Sequence, residues 1–559
     1  MANKYQEELV FVPFGGVGEI GMNMAAYGFG PENNRKWIVL DCGVTFGGPN
    51  QPGIELIMAD PTFLEDEAEN VLGLILTHSH EDHYGAALDL WPSFDSPVYA
   101  TPFTKAMIKA KRIGNNIVAN LDVREMMQGK PFNLGPFTIE AINMAHSIPE
   151  CNSILIKTPL GQALHTGDWK LDPHPVGSPP TDEKRLQKIG DHKLPLALIC
   201  DSTNAKKEGI SASEKDVAKN LEKIIKSAKH RVAVTTFASN IGRIISIARA
   251  AKKANRQVVL SGLSLHRVTT IARELGMLEG IEPFLDQDAY LHLPRNKLVL
   301  ICTGSQGEQR AAVSRIARGV HPAIELNAGD MMIFSSWAIP GNEREVIDIQ
   351  NQLIDKGVKL ITNDDELVHV SGHPRIGELK KLYDWVKPDI LIPVHGEAMH
   401  LEAHAKLGKA EGIKQVFSIR NGDMVKLFPN SEHLVAEIPV GELYLDGNIL
   451  CAPRESGVSG RKKLSYGGLV NVSLCVNRHG EIISGPDIEI TGVPKPDENY
   501  EDSLEVIIEK AIVGVIASMP QKRRSNDVKL QAAIKRATRS EVRNYWGRKP
   551  NVYVFVHVI

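Results

Sequence analysis

From Leu9 to about Asn204, short apolar, β-branched runs alternate with glycine-rich turns. Residues 37–41, 71–77, 137–141 and 196–200 each read as a buried strand bounded by turn-forming residues. Polar residues of the metal-binding kind recur just past the ends of these runs. Between about 206 and 367 the rhythm changes: apolar runs at 231–237, 257–260, 298–302 and 331–334 are separated by helical stretches. Continuous apolar runs alternating with helices predict a mostly parallel sheet covered on both faces. From 368 to 427 the first style returns, with 390–395 ending in another polar residue, His395. A pattern that stops and resumes predicts an insertion, so the expected layout is a first domain in two parts, 1–205 and 368–430, interrupted by a domain at 206–367. A Gly/Ser-bearing linker is expected at 431–465, followed by a compact α+β unit at 466–559. In that unit 469–476 alternates, Leu504, Ile508, Ala511 and Val515 form a helical stripe, and 551–559 places four valines on one strand face.

A chain of 559 residues is too long for one hydrophobic core, which agrees with several domains. Hydrophobic content of 43% and charged content of 23% are ordinary for a globular protein. The cysteines at 42, 151, 200, 302, 451 and 475 contain no CxxC pair, so no disulfide framework or zinc ribbon is expected and a reducing cytoplasm is. Acidic residues near the N-terminus and the lack of any apolar run of ~20 residues predict neither export nor membrane insertion. The net charge of −3 excludes a globally basic nucleic-acid coat while leaving room for a local basic groove. The densest basic stretches are Lys105 to Arg112 and Lys522 to Lys549, and each taken alone reads as a solvated helix face.

The chemistry is concentrated at His78-Ser79-His80-Glu81-Asp82-His83, directly after the apolar run 71–76. Imidazoles and carboxylates packed this densely at a strand end are the signature of a two-metal hydrolase. Such a site needs further ligands, including a carboxylate able to bridge two cations about 3.5–4 Å apart. His146, Asp168 and His395 stand at later strand ends and supply candidates. Nitrogen and oxygen donors without thiolate suit zinc, with manganese as the alternative. Asp41 reads as a residue that orients a ligand or the loop rather than binding metal. The segment Ser371-Gly372-His373 opens a helical stretch, so its backbone N–H groups and imidazole could meet a phosphate.

These segments, in order, carry a specific resemblance. His78-x-His80-x-Asp82-His83, His146-Ser-Ile-Pro, Thr166-Gly-Asp168, Asp201-Ser-Thr-Asn204, Ser371-Gly-His373 and Pro393-Val-His395-Gly-Glu together resemble the metallo-β-lactamase fold with an inserted β-CASP domain. More narrowly, they resemble the bacterial ribonuclease J family. The opening 12–23, 237–243 and 303–308 extend the match to essentially the whole chain. The resemblance implies an α/β fold: a metallo-β-lactamase αββα sandwich, an inserted β-CASP domain with a Rossmann-like parallel sheet, and a small C-terminal α+β domain.

It also implies a cytoplasmic ribonuclease that acts on single-stranded RNA, 5′-to-3′ from 5′-monophosphate ends and also internally, in RNA maturation and decay. Two zinc ions per chain are expected, with Mn2+ or Mg2+ able to support activity. His78, His80 and His146 would hold one ion and Asp82, His83 and His395 the other, with Asp168 bridging. Asp82, His373 and Asp201 are the implied catalytic residues, with His373 at the scissile phosphate. Ser239, Asn240, Arg243, Ser305, Ser371, Gly372 and His373 are expected to line the RNA or its 5′-phosphate pocket. Implied partners are a second copy or three further copies of the chain and an RNA-degradation complex.

Three residues depart from the family pattern: Pro374, Glu150 and Trp169, none of them a ligand. Two other enzyme classes share the metal motif, small-molecule metallo-hydrolases and DNA nucleases. The inserted domain argues against the first, while the second leaves no distinguishing motif. A silent RNA-binding subunit would be expected to have lost ligands, and this chain retains them.

Overall fold

The structure, a computed structural model, describes residues 6–115, 117, 120–191, 193–339, 341–495 and 502–559. Two compact units can be distinguished, residues 1–45 with 57–442 and residues 46–56 with 443–559.

The first unit is built on two sheets and an insert. One sheet has eight strands in the order Glu432–Glu437, Asp423–Phe428, Glu8–Gly15, Met24–Gly30, Lys36–Leu40, Val71–Ile75, Val98–Ala100 and Val123–Glu125. The other has seven: Phe132–Leu134, Phe137–Asn143, Asn152–Lys157, Gln162–His165, Leu196–Asp201, Ile390–Val394 and Gln415–Val416. Alternation puts Leu9, Tyr27, Ile38 and Ile75 of the first sheet against Ile139, Ile154, Ile199 and Ile392 of the second, in one apolar layer. Each such fully buried aliphatic side chain contributes about 1.5–3 kcal/mol. The opposite face of the second sheet, with Leu155, Leu164, Leu198 and Leu391, is covered by Leu186 and Ile189 of helix Glu183–Gly190 and by Leu379, Leu382 and Val386 of helix Ile376–Val386.

Leu196–Asp201 and Ile390–Val394 are parallel neighbours, with Asp201 opposite Val394. Nearly 190 residues of sequence therefore separate two adjacent strands, and the insert is formed from them. Its sheet is wholly parallel, ordered Gln257–Ser261, Leu298–Cys302, Val232–Thr235, Met331–Phe334, Lys359–Ile361. The uninterrupted apolar composition of these strands follows from coverage on both faces, by helices Ala312–Ala317 and Glu343–Asp355 on one and by the paired helices Glu214–Ser227 and Ile241–Lys253 on the other. Ser213 and Asn240 start those two helices, each accepting a hydrogen bond from a first-turn N–H.

In the second unit, Leu469–Val476 runs between Ile482–Thr491 and Asn551–Val558. Its buried face, Val470, Val472, Leu474 and Val476, packs on helices Leu504–Ser518 and Asp527–Trp546. The buried stripe of the first helix is Leu504, Ile508, Ile512 and Ile516, which corrects the expected Ala511 and Val515: these lie half-buried on its flank. The segment expected to be a linker is also more ordered than its Gly/Ser content suggests. It forms the strands Glu432–Glu437, Glu442–Asp446 and Ile449–Cys451 and helix Val458–Gly467. No helix among the described residues is long and apolar enough to cross a membrane.

Candidate metal centre

Strand Val71–Ile75 ends in a loop that carries His78 and His80 into one turn of helix, Glu81–Tyr84. The backbone N–H groups of His83 and Tyr84 both donate to the His80 carbonyl, which closes the turn and brings Asp82 and His83 round toward His78. Gly43 makes room for it, since a Cβ there would stand 1.8 Å from the Asp82 carbonyl oxygen. Lys111, expected on a solvated helix face, instead turns inward: its ammonium donates to Glu81 Oε2 and to the Gly85 carbonyl, both at 2.7 Å. A cation buried this way is a staple for the ligand-bearing turn.

Asp168, 1% exposed, lies between two groups of side chains. His78 Nε2 and His146 Nε2 each stand 3.1 Å from His80 Nδ1, and 3.8 and 3.6 Å from Asp168 Oδ2. On the other side, Asp168 Oδ1 is 3.2 Å from His83 Nε2 and 3.3 Å from His395 Nε2. Those two nitrogens are 3.6 and 3.8 Å from Asp82 Oδ2. Ligand bonds of about 2.0–2.1 Å in a tetrahedron give edges of about 3.3 Å, so both groups have the spacing of coordination polyhedra. Asp168 Oδ1 and His395 Nε2 are also buried without a hydrogen-bond partner. Each orphaned group costs about 1–3 kcal/mol, an imbalance that a bound cation removes. The donor set and the geometry fit a metal pair.

The other ring nitrogen of every one of these histidines is engaged. His83 Nδ1 donates to Asp41 Oδ2 at 2.7 Å, His395 Nδ1 to Asn23 Oδ1 at 2.9 Å and His146 Nδ1 to the Gly372 carbonyl at 2.8 Å. His78 Nδ1 meets Thr77 Oγ1 at 3.0 Å and His80 Nε2 meets Ser239 Oγ at 3.3 Å. Asp41 also accepts from Thr77 N at 2.8 Å. These partners fix which nitrogen faces the cation and how each ring is oriented. Asp41 and His395 sit at positive φ, 60° and 51°, just beyond strand ends. The tertiary structure holds both non-glycine residues in that costly region, as is common where side chains must converge. Asn23 and Thr77 were not singled out in the sequence, and the only local sign of Asn23 is the glycine-rich stretch before it.

Burial, reinforced by neighbouring imidazoles, holds His78 and His146 well below the usual histidine range and His80 down to about 4, which leaves their lone pairs free for a cation at neutral pH. Burial would raise the Asp168 carboxyl, but His395, His83 and His373 outweigh it and hold Asp168 ionised.

His373 stands in a third group of donor atoms, with Asp201 and His395. Its Nδ1 donates to Asp201 Oδ2 at 2.7 Å, and its Nε2 points back toward Asp168 Oδ2 at 3.9 Å. Burial alone would lower it, yet Asp201 and then Asp168 lift it to about 9. Asp201 is 1% exposed and its other oxygen accepts from Thr203 N and Oγ1. These contacts suit Asp201 to orienting His373.

Of the expected substrate contacts, one is corrected. Arg243 is wholly buried; it forks onto Glu214 at 2.9 and 3.1 Å and donates to the Val368 carbonyl at 2.8 Å, leaving no group for RNA. The Asn240 side chain caps its helix, accepting from Arg243 N at 2.9 Å. Gly372 serves His146, and a Cβ there would lie 2.6 Å from that ring. The helix expected to open at Ser371 starts at Ile376, and Glu378 occupies its N-terminus by accepting from Arg375 N, Ser211 N and Leu171 N. Ser371 Oγ accepts from Asn204 Nδ2 at 2.8 Å beside the metal centre, and Ser305 is buried in the loop after Leu298–Cys302. Among the departures, Glu150 Oε2 accepts from Phe103 N at 2.8 Å, and Trp169, next to Asp168 in the chain, fills the core.

Four family models match this chain: "Beta-lactamase superfamily domain" over 36–181, "Ribonuclease J, beta-CASP domain" over 229–353, "Zn-dependent metallo-hydrolase RNA specificity domain" over 365–418 and "Ribonuclease J C-terminal domain" over 457–559. Ribonuclease J of Sinorhizobium meliloti is 48% identical over 550 residues, 98% of this chain and 97% of that protein. The chain belongs to the ribonuclease J family. Ribonuclease J of Corynebacterium glutamicum is 35% identical over 96% of this chain and 74% of that one, and that of Mycobacterium tuberculosis 35% over 96% and 95%. A crystal structure of a protein of unknown function from Enterococcus faecalis superposes with a TM-score of 0.53 at 14% identity, covering 75% of this chain and 100% of that one, a likeness of fold. Within the family's architecture the metal centre is shared out by segment. The β-lactamase superfamily segment carries His78, His80, Asp82, His83, His146 and Asp168, and the RNA specificity segment carries His373 and His395.

Proposed function

We propose that this protein is a metal-dependent ribonuclease that hydrolyses phosphodiester bonds of single-stranded RNA. In this reading it acts 5′-to-3′ from 5′-monophosphate ends, cuts internally as well, and serves RNA maturation and decay in the cytoplasm. The observation that carries the reading is the pair of donor groups sharing Asp168, with His373 Nε2 3.9 Å from its Oδ2. The family relationship supplies RNA as the substrate class.

His78, His80, His146 and Asp168 would hold one divalent cation, and Asp82, His83, His395 and Asp168 a second, with zinc favoured by the nitrogen-rich donors and Mn2+ or Mg2+ able to substitute. When bound, the pair supplies Lewis acidity toward the phosphoryl group and an activated water nucleophile. The residues of the chain then have distinct tasks. The fixed imidazoles and carboxylates keep the electrostatic frame from reorganising as charge develops. His373, aimed by Asp201, would donate through Nε2 to the phosphate and then to the leaving 3′-oxygen. The bond from phosphorus to the entering water oxygen forms as the bond to O3′ breaks, leaving a 3′-hydroxyl and a 5′-phosphate.

Assembly into a homodimer or homotetramer belongs to the same reading, as does membership of an RNA-degradation complex. The edge strand Asn551–Val558, which leaves Tyr553 and Phe555 more than half exposed, supports assembly.

The test is incubation of the protein with zinc or manganese and labelled single-stranded RNA bearing a 5′-monophosphate, beside the 5′-triphosphate form and the equivalent DNA. Mononucleotides released from the monophosphorylated RNA and lost with chelator are the expected result. Equal turnover of DNA would make the protein a general nuclease, and no cleavage of any substrate by metal-loaded protein would overturn the reading in favour of a small-molecule hydrolase or a silent RNA-binding subunit.

A further inference from the structure

Trp337 lies in the loop after Met331–Phe334, at the carboxyl end of a central strand of the insert's parallel sheet. It is 37% exposed, whereas Trp37, Trp91 and Trp169 are all at most 2% exposed. An indole left open on a loop has to be explained, because its apolar area would be expected to fold inward. Its position is fixed from behind. The Gln306 amide grips the loop on either side of Ala338, donating from Nε2 to the Trp337 carbonyl at 2.9 Å and accepting at Oε1 from Ile339 N at 2.7 Å. The His369 ring supports the indole at a centroid distance of 5.9 Å. The Lys207 ammonium sits 4.4 Å from its ring centroid.

Both neighbours belong to segments that lead directly into the metal centre. His369 is four residues before His373, so their Cα atoms are at most about 14 Å apart. Lys207 is three residues after Asn204, whose Nδ2 donates to Ser371 Oγ and to the His373 carbonyl, and the Lys207 carbonyl accepts from Ile376 N. A partly exposed indole with a cation over its ring, a short distance from a phosphodiester-cleaving centre, holds the two elements that single-stranded nucleic acid requires: a flat surface for a base and a positive charge for its phosphate.

We propose that Trp337 is a stacking platform for one base of the RNA strand engaged at the metal centre, with Lys207 pairing the adjoining phosphate. The inference rests on the ribonuclease reading and adds to it a specific contact. Lys207 occupies the ring face when RNA is absent. An exposed cation over an aromatic ring is held more weakly than a stacked base, so the ammonium is displaced and remains beside the strand as a phosphate contact. The platform is tolerant of sequence, because every base presents a π face.

The experiment is a double-mutant cycle between protein and RNA. Binding of a 5′-monophosphorylated single-stranded RNA to chelator-treated protein is measured for the wild type, Trp337→Phe and Trp337→Leu. It is repeated with a series of RNAs each carrying one abasic position, and hydrolysis of the intact RNA by metal-loaded wild type is run in parallel. Trp337→Phe keeps a ring and should bind within a few-fold of the wild type. Trp337→Leu keeps an apolar side chain but no ring and should bind about 5- to 150-fold more weakly. One abasic position should weaken the wild type by a similar factor while leaving Trp337→Leu unaffected, a coupling that a purely structural role does not produce. Lys207→Gln should flatten the salt dependence of binding. If the wild type hydrolyses RNA but every abasic substitution costs Trp337→Leu as much as it costs the wild type, the platform is overturned and the ribonuclease reading stands. If the wild type neither binds nor cleaves RNA, both fall together.

Discussion

Ser239 Oγ lies 3.3 Å from His80 Nε2, a contact between the inserted sheet's first loop and a metal-group imidazole of the sandwich. The insert therefore helps orient a ring whose Nδ1 faces His78 and His146. Losing such a supporting partner typically costs about 10- to 100-fold in metal affinity or activity. Ser239→Ala should fall at the mild end of that range, with weaker metal retention on dialysis and a lower kcat. Unchanged metal retention and kcat would show that the contact does not orient His80.

Asn23 has a matching role on the other group. It accepts from His395 Nδ1 and donates to the Asp82 carbonyl. Asn23→Ala should release both and lower metal affinity by about 10-fold or more at the group containing Asp82, His83 and His395. Metal stoichiometry by elemental analysis should fall toward one ion per chain, and two tightly held ions would contradict the assignment.

Asp201→Asn keeps the shape but removes the charge that holds His373. Turnover should fall about 10- to 100-fold, with metal content unchanged, and His373→Ala should fall at least as far. Adding Asp201→Asn to His373→Ala should cost little more, because the aspartate acts through the imidazole. Additive losses would indicate a separate function for Asp201.

Arg243 and Glu214 form a buried fork with each other. Arg243→Met would leave buried Glu214 with only the Lys170 ammonium, 3.7 Å away, so it should lower stability by up to about 3–5 kcal/mol in urea denaturation. The double change Arg243→Met with Glu214→Leu should recover part of that loss. If Arg243→Met kept full stability and changed only KM, the residue would belong to the RNA surface after all.

Chelation should abolish hydrolysis and lower the melting temperature, since a cation present at a hundred times its Kd stabilises the folded state by about 2.7 kcal/mol per independent site. Zinc or manganese added back should restore both. A melting temperature unaffected by chelator would mean that the donor groups do not hold ions in the folded protein.

The sequence by itself determined the ligand chemistry, because His78, His80, Asp82 and His83 are local: one strand end and one helical turn bring them together whatever the rest of the chain does. The return of the first domain's pattern after the insert was equally visible, because buried parallel strands and turn-bounded short strands differ in composition. What only the tertiary structure decided is how side chains far apart in sequence are used. Asp168 comes to lie between the two donor groups because the segments carrying His146 and His395 converge on it. Asn23, Thr77 and Gly372 become orienting partners because a backbone carbonyl or an amide carries no sequence signature of its role. Arg243 reads as a basic residue in a substrate motif, and only burial beside Glu214 shows that its guanidinium is committed to the interior, where an unpaired charge would be far too costly to leave. Residue types specify what a site can bind; packing specifies which of them are left free to bind it.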